Sequence, residues 1–414
     1  MGLIEGEGFH PSTIDLEAVP KELVAVRNVG ASNVVEMYSV LDWLGFDFGQ
    51  AIHTDIKGLT GVVLGGLSRM GHKLGSRNTL GIGGRIYNDV LFPLRSRGTL
   101  IDGLAQRSFL KDVDKLVSLH GDGVAVLCFH HSTALSLWER HPNLRIFNWV
   151  PNVAAFPGEK IYAPLRGGYL GWHEGTLRAI KERVKTRTGE EYNSFCVIDP
   201  FVPKQLAENF LEDDGQREAF FKNPDGPLRI LFLPSGSGIS LKRTMRMIEG
   251  LAPGLKEGWI QLTINLWNNT DQAEKLKSKI KEALGPKQGV EILAGPNQYG
   301  VYEEVVEEIR KAHLVLAVAG VWPRWADMCG IPSVIFSDFK AGVEKENASF
   351  FEGKGQAIAS MEEVPAVLRV CEGEAQALAV VSEMNRRIRE LKRFIDPLAM
   401  SDGATAIMQR FLQG

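Results

Sequence analysis

Residues 313–348 constrain the fold most, because apolar runs and glycine turns alternate there at short intervals. Leu314 to Val318 and Val334 to Phe336 are nearly continuous apolar runs, which is typical of strands in a parallel sheet that is covered on both faces. Gly320 and Gly330 fall where a strand-to-helix and a helix-to-strand turn are expected. The stretch therefore predicts a strand-helix-strand-helix unit, whose strand carboxyl ends are a usual place for a ligand.

The same alternation of strands and helices runs along most of the chain, so the predicted class is α/β. At 414 residues the chain is long for one hydrophobic core. We predict two Rossmann-like, doubly wound parallel-sheet domains that face a cleft. The predicted organisation is an extension at 1–20, an N-terminal domain at 21–199, a C-terminal domain at 200–390, and a helix at 391–414 that packs back on the N-terminal domain.

Composition excludes several classes of protein. The net charge of −3 is not that of a nucleic-acid-binding protein. The four cysteines are far apart and form no CxxC pair, which indicates reduced thiols in a cytoplasmic protein and offers no zinc or disulfide framework. No apolar run reaches the roughly 18 residues of a membrane span. We therefore expect a cytoplasmic protein, at most peripheral on the inner face of the membrane.

Residues 57–111 are basic and apolar. They carry nine Lys or Arg residues against two acids, and a face of this kind can rest on an anionic membrane surface. The alternative is that the apolar residues belong to the core and the charges form an ordinary solvated face. The sequence leaves both interpretations open.

Polar side chains follow several predicted strands of the N-terminal half. His130 and His131 follow an apolar run, Asn148 and Asn152 end the next one, and Asp199 precedes a proline-rich linker. Polar residues at strand carboxyl ends belong on the ligand side of a parallel sheet. His130, His131 and Asp199 are accordingly the candidates for a general base, the alternative being that the histidines are only packed or hydrogen-bonded.

A glycine-rich loop follows the first predicted strand of the C-terminal half. It reads Ser235-Gly236-Ser237-Gly238 and precedes a helix, so its backbone N–H groups and the helix N-terminus can hold an anion. The loop is not GxGxxG and has no P-loop lysine, and no acidic residue stands where NAD ribose recognition needs one. NAD is therefore not favoured, and a structural turn without a ligand remains the alternative.

Six segments together resemble the GT-B glycosyltransferases, particularly the branch that holds the lipid II N-acetylglucosaminyltransferase and the monogalactosyldiacylglycerol synthases. They are VRNVGASN, DPFVPK, LPSGSG, YEEVVEEIRKAHLVLAVAG, ADMCGIPSVIF and KENASFFEGKGQAI, spread over nearly the whole chain. The last two are the most specific, because they are similar to the donor-site segment of the family and its continuation. The resemblance implies two Rossmann-like domains with a nucleotide-sugar site in the cleft.

The resemblance also implies an activity: a sugar moves from a nucleotide sugar, usually UDP-linked, to an acceptor hydroxyl, with inversion, without a metal and without a cofactor. The N-terminal half of such enzymes takes the acceptor, so residues 57–111 favour a lipid-borne acceptor. The acceptor-side loop would be Gly30, Ser32 and Asn33. The implied donor-binding residues are Ser235, Gly236, Ser237, Gly238, Gly320, Trp322, Arg324, Trp325, Asp327, Glu344 and Asn347. Lys242, Arg243 or Arg324 would supply a cation for the diphosphate. Trp322 or Trp325 would stack on uracil.

The chain departs from the pattern of the family at three places. Ser32 and Asn33 stand where a histidine is usual, Trp325 where a ribose-binding glutamate is usual, and Glu344 where a glutamine is usual. Two further functions therefore stay open. One is a nucleotide-sugar 2-epimerase of the same fold, and the other is a nucleotide-sugar-binding protein with weak or no catalysis.

Overall fold

The computed structural model describes most of the chain outside the first quarter. The described residues are 23–27, 31–45, 52–53, 114, 118, 125–129, 131–153, 155, 162–234, 240–267, 269–285, 289–295, 298–337, 342–391 and 396–413. The predicted extension at 1–20, the basic segment 57–111 and the glycine-rich loop at 235–238 lie outside them.

The N-terminal domain contains a parallel sheet. Its strands are Leu23–Arg27 (β1), Ile52–His53 (β2), Ala125–Cys128 (β3), Arg145–Val150 (β4), Gly168–Gly171 (β5) and Phe195–Val197 (β6). Its described helices are Ala31–Trp43 (α1), His131–Arg140 (α2) and Glu174–Thr188 (α3). The six strands lie in the order β2-β1-β3-β4-β5-β6, and every described pair is parallel. α1, α2 and α3 each follow a strand, which is the predicted βα repeat.

Two helices lead into the C-terminal domain, Lys204–Glu208 (α4) and Phe210–Lys222 (α5). The strands of its sheet are Leu228–Leu233 (β7), Ile260–Trp267 (β8), Val290–Ala294 (β9), Leu314–Ala317 (β10), Ser333–Phe336 (β11) and Ala357–Ala359 (β12). The helices between them are Leu241–Glu257 (α6), Thr270–Leu284 (α7), Gln298–Lys311 (α8), Val321–Met328 (α9) and Gly342–Glu352 (α10). The strand order is β12-β11-β10-β7-β8-β9, again with every described pair parallel.

Three more helices complete the described chain: Val364–Val367 (α11), Glu374–Leu391 (α12) and Pro397–Gln413 (α13). The prediction for residues 313–348 is confirmed, since they form β10, α9, β11 and most of α10. β10 and β11 are buried along their whole length, because helices cover both faces of the sheet. The predicted α/β class with two parallel sheets is confirmed as well.

Each sheet contains one point where the order of its strands reverses. In the C-terminal sheet, β7 is followed by β8 and β9 on one side, and the chain then returns to place β10 on the other side of β7. In the N-terminal sheet the reversal lies between β1 and β3. α6 and α9 begin at the first point, and α1 and α2 begin at the second. We call these two places the C-terminal and N-terminal switch points, and open α/β sheets bind ligands in the crevice at such points.

One of the hydrophobic clusters spans both domains. One cluster of buried side chains includes Tyr38 and Leu41 of α1 together with Tyr302, Trp322 and Trp325 of the C-terminal domain. The last helix, α13, also returns to the N-terminal sheet. The Phe411 ring lies 5.7 Å from the Phe147 ring, and Arg145 Nη2 donates a hydrogen bond to the carbonyl oxygen of Leu412. Such packing ties the end of the chain to its first half.

None of the described helices is long and apolar enough to cross a membrane.

Two buried histidines make the stability of the fold depend on pH. The His313 ring stacks on the Phe220 ring at 3.7 Å, and His313 Nδ1 accepts a hydrogen bond from the backbone N–H of Arg229 at 3.1 Å. Burial lowers the pKa of His313 to about 3 and that of His131 to about 4, from 6.5. Both rings are therefore neutral in the folded protein at pH values where the unfolded chain is already protonated.

We expect the free energy of unfolding to fall between pH 7 and pH 5. A histidine whose pKa is lowered in the folded state contributes stability that is present above the unfolded pKa and is lost as the pH falls below it. The protonation of His131 and His313 in the unfolded chain should each lower the free energy of unfolding by about 2 kcal/mol by pH 5. Guanidinium chloride denaturation at the two pH values measures the drop. His313→Asn keeps an acceptor for Arg229 but does not titrate, so its drop should be smaller by about 2 kcal/mol. An unchanged drop would show that His313 does not carry this effect.

Candidate functional site

A buried ion pair joins the helices that begin at the two switch points. Glu36 of α1 is 0% exposed and Arg324 of α9 is 2% exposed, and Arg324 Nη2 donates a hydrogen bond to Glu36 Oε2. Trp149 Nε1 donates to the other carboxylate oxygen, Glu36 Oε1, at 3.0 Å. The Arg324 guanidinium also donates through Nη1 to the carbonyl oxygen of Pro151 at 3.2 Å and lies 5.3 Å from the centre of the Trp172 ring. In each of these contacts, the partner of Arg324 belongs to the N-terminal domain.

Burial is the main influence on the charge of Glu36. It raises the pKa of the Glu36 carboxyl above its usual range, while the charge and hydrogen bond of Arg324 act in the opposite direction. Buried ion pairs of this kind are seldom a net source of stability, because desolvation of two charges offsets their attraction. A role in holding the two domains in a defined arrangement explains the pair better than a role in stability.

Asn347 of α10 forms a second polar link between the domains. Its side chain is 3% exposed. Its Oδ1 accepts a hydrogen bond from the backbone N–H of Val153 at 3.0 Å, and its Nδ2 donates to Asn152 Oδ1 and to the carbonyl oxygen of Ala319, both at 3.1 Å. The structure thus brings together Asn152 and Asn347, two residues that the sequence places on the cleft side of different domains.

Aromatic side chains fill the space beside the C-terminal switch point. Trp322 stacks on Trp267 with 5.5 Å between ring centres and an interplanar angle of 21°, and its edge meets Trp325 at 5.3 Å. Tyr302 lies 6.3 Å from Trp325. Trp322 and Trp325, which the resemblance offers as a surface for uracil, are both buried against protein side chains in this arrangement.

Trp267 itself has a strained backbone. Its φ of +53° is in the left-handed region, which costs a side chain other than glycine roughly 1–2 kcal/mol. The conformation is held by a hydrogen bond from the Trp267 backbone N–H to Asn265 Oδ1 at 3.0 Å, at an irregularity in the pairing of β8 with β9. Strain of this kind is common at ligand sites, and here it lies at the carboxyl end of β8, next to β7.

Several buried polar atoms near the domain interface have no hydrogen-bond partner. Within the described part of the chain they include Ser39 Oγ, Asn148 Oδ1, Asn265 Nδ2, Arg324 Nε and Trp325 Nε1. Most buried polar groups in proteins are paired, so each exception calls for an explanation. These five atoms lie on elements that surround the switch points, so the observed arrangement does not satisfy every polar group there.

The three predicted candidates for a base are in different surroundings. His131 is the first residue of α2, directly at the N-terminal switch point, and its buried ring lies 5.7 Å from the Tyr162 ring. His130 lies outside the described residues. Asp199 is exposed after β6, two strands away from β4 at the edge of the sheet. Position alone therefore favours His131 over Asp199.

On the donor side, α6 begins at Leu241 after Ser240, whose side chain does not cap the helix. Of the two predicted cations there, Lys242 is exposed, whereas Arg243 donates from Nε to Glu362 Oε1 at 2.8 Å.

The other predicted site residues lie at or near helix ends. Gly320 is the N-cap of α9, and Glu344 lies in the first turn of α10. Asp327, at the far end of α9, pairs with Lys354 at 3.5 Å. Ser32 and Asn33 are in the first turn of α1, and Gly30 lies outside the described residues.

The described residues contain no group of three or more His, Cys, Asp or Glu side chains that could hold a metal ion.

Several solved structures have a similar fold. A UDP-glucosyltransferase from Polygonum tinctorium, capable of glucosylating indoxyl, matches with a TM-score of 0.51 at 11% identity over 95% of this chain and 99% of that chain. A UDP-GlcNAc 2-epimerase from Neisseria meningitidis matches with a TM-score of 0.49 at 11% identity over 95% and 99%. MurG from Acinetobacter baumannii matches with a TM-score of 0.44 at 14% identity over 89% and 94%.

No protein-family model and no curated protein matches the chain. The likeness to solved structures, at such low identity, is one of fold. Together with the two parallel sheets and their strand orders, it shows that the chain has the GT-B fold.

Sequence reasoning did not identify three residues of the interface: Glu36, Trp149 and Trp172. Glu36 carried a signal, because it is the only charged residue between Ala31 and Leu41, in a run that is otherwise mostly apolar. A lone charge on the buried face of a helix needs a partner. The two tryptophans had no such signal, since an indole in a strand or directly after one, as at Trp149 and Trp172, is usually ordinary core packing.

Proposed function

We propose that this protein transfers a sugar from a nucleotide sugar, with UDP as the expected nucleotide, to an acceptor hydroxyl. The observation that carries the proposal is the pairing of the two switch points. α9, which begins at the C-terminal switch point, meets α1, which begins at the N-terminal one, through Arg324 and Glu36. A donor at one point and an acceptor at the other would be held face to face.

The donor side suits a diphosphate leaving group. α6 and α9 begin on adjacent strands, so the partial positive charges of their N-termini meet at one crevice. Lys242 in the first turn of α6 adds a full charge there. Negative charge that develops on the departing nucleotide would be stabilised by these groups, which are in place before the reaction starts. The proposed donor site also includes residues 235–238, directly before α6.

The acceptor side supplies a neutral histidine. Burial lowers the pKa of His131 to about 4, so the ring is neutral near pH 7, as a general base must be before the reaction, and the same shift makes it a weaker proton acceptor than an exposed histidine. In the proposed reaction a histidine at this switch point takes the proton of the acceptor hydroxyl, whose oxygen attacks the anomeric carbon as the diphosphate leaves from the opposite face. Inversion follows from that single displacement. Asp199 is the less favourable base because it lies at the edge of the sheet.

One observation favours a second candidate, a nucleotide-sugar-binding protein with weak catalysis. Arg324 donates from Nη1 and Nη2 to the N-terminal domain, and Trp322 stacks on Trp267 instead of offering a free face. A protein that keeps this arrangement with ligand bound would hold a nucleotide through α6 alone. Such a protein would bind a nucleoside diphosphate without turning over its sugar conjugates.

We expect UDP and UDP-sugars to raise the melting temperature of the protein in a panel of nucleotides. A ligand at 100 times its dissociation constant adds about 2.7 kcal/mol to the free energy of unfolding. Lys242→Ala should weaken the response, and Lys279→Ala, which removes an exposed lysine from the middle of α7, serves as the matched control. If no diphosphate nucleotide changes the melting temperature, the donor site proposed here is wrong.

Product analysis with the stabilising nucleotide sugar then separates the functions. Release of the nucleoside diphosphate with transfer of the sugar to added hydroxyl compounds supports the glycosyltransferase. Conversion of UDP-N-acetylglucosamine to its manno isomer indicates an epimerase instead. Binding without either reaction indicates the binding protein.

A further inference from the structure

The interface between the two domains contains buried polar contacts. A permanent interface is usually apolar throughout, whereas this one combines the apolar cluster with a buried ion pair and an asparagine that crosses between domains. It also leaves Arg324 Nε, Trp325 Nε1 and Asn148 Oδ1 without partners within the described part of the chain. These groups would gain hydrogen bonds from water or a ligand if the interface opened.

The geometry of the ion pair leaves Arg324 incompletely bound. Glu36 contacts the guanidinium through Nη2, and Pro151 takes Nη1, so the side of the guanidinium that presents Nε and Nη2 together carries only one bond. Arginine binds carboxylates and phosphates best through two parallel N–H donors. One oxygen of Glu36 is already held by Trp149 Nε1, which explains why the carboxylate does not reach both donors. A phosphate group has three oxygens and is not held in this way.

We propose that Glu36 is a built-in competitor that occupies Arg324 until a phosphate-bearing ligand displaces it. This inference rests on the proposed function, because it assigns the displaced contact to the diphosphate of the donor. Before that ligand binds, Glu36 holds Arg324 and keeps the two domains together. When a diphosphate enters, Arg324 exchanges the single bond to Glu36 for a forked bond through Nη2 and Nε.

After the exchange, no buried charge is left without a partner. Arg324 gains an anion in place of the one that it loses, and Glu36 keeps its hydrogen bond from Trp149 Nε1. The Glu36 carboxyl can also take up a proton, since burial already raises its pKa. The cost of the exchange is the loss of the Glu36 contact, so removing the Glu36 charge should strengthen binding of the anion.

The test uses inorganic pyrophosphate, which contains the proposed ligand group without a nucleotide. Isothermal titration of the full chain should give a dissociation constant at least 10-fold lower for Glu36→Gln than for the wild type. Arg324→Met should lose the binding that depends on this residue. Glu383→Gln removes a carboxylate from a surface pair with Arg386 and Arg387 and should bind pyrophosphate like the wild type.

A second measurement needs no change at Glu36. Trp149 donates a hydrogen bond to Glu36 and the Trp172 ring lies 5.3 Å from the Arg324 guanidinium, so pyrophosphate should change the tryptophan emission of the wild type and leave that of Arg324→Met unchanged. Equal affinity of Glu36→Gln and the wild type, or the same emission change in Arg324→Met, would overturn the proposal.

The outcomes also separate this inference from the proposed function. If pyrophosphate binds as described but no nucleotide sugar does, Glu36 competes for an anion site and the glycosyltransferase proposal fails. If nucleotide sugars bind and react while Glu36→Gln changes neither affinity nor emission, the function stands and the competitor proposal fails.

Discussion

Replacing Glu36 with Gln lowers the free energy of unfolding by about 3–5 kcal/mol, the range found when one partner of a buried ion pair is removed. Glutamine fits the same space and can still accept the hydrogen bond from Trp149 Nε1. It leaves the Arg324 guanidinium buried, however, without its carboxylate partner. The destabilisation therefore comes from an unpaired charge and not from a change in packing.

The reverse change, Arg324→Met, is expected to cost less, because the Glu36 carboxyl that remains can be protonated. Combining Glu36→Leu with Arg324→Met removes both charges and should recover most of the stability lost in Glu36→Gln, since apolar residues of similar volume often replace a buried pair without loss. Guanidinium chloride denaturation at pH 7 compares the three variants. Equal losses in the two single variants, or a double variant as unstable as Glu36→Gln, would contradict this account of the pair.

The fold could be predicted from the sequence because the patterns that indicate its strands and helices are local. Each strand around the C-terminal switch point is an apolar run bounded by a turn, and the buried face of α6 repeats at helical spacing through Thr244, Met247, Ile248 and Leu251. The strand-helix alternation in turn restricts the topology to parallel sheets. Both sheets could be predicted without knowledge of any contact between them.

The candidate site depends on contacts that no local pattern contains. Arg324 was recognised as a cation near the cleft, but its partner Glu36 lies 288 residues away. Which residue of one domain faces a given residue of the other depends on how the domains are oriented, and that orientation follows from many weak contacts of the shared core. The same reasoning explains Trp322, whose neighbour Trp267 comes from another strand. Residue types at the cleft were therefore predictable, while their partners were not.

Two glycines in left-handed or related conformations allow a sharp test of how the last helix packs. Gly168 begins β5 with φ +127°, and a Cβ atom there would lie 2.5 Å from the carbonyl oxygen of Ser194 and 2.8 Å from Phe411 Cζ. Gly189, after α3, has φ +76°, and a Cβ atom there would meet nothing within 4 Å. The two sites share an unfavourable φ for alanine, and only Gly168 adds a clash.

Gly168→Ala is expected to lower the free energy of unfolding by about 4 kcal/mol, from roughly 1–3 kcal/mol of backbone strain and a similar amount for overpacking. Gly189→Ala should lose only about 1 kcal/mol, because strain is the only cost there. The clash at Gly168 involves the β6 side of the sheet through Ser194 and α13 through Phe411, so alanine must displace one of them.

Adding Phe411→Leu to Gly168→Ala should restore part of the loss, since it shortens the side chain that meets the new methyl group while the Ser194 carbonyl remains in place. Thermal or guanidinium chloride denaturation measures all three. If Gly168→Ala and Gly189→Ala cost the same, neither Ser194 nor Phe411 lies against Gly168, and α13 does not close over the N-terminal sheet as described.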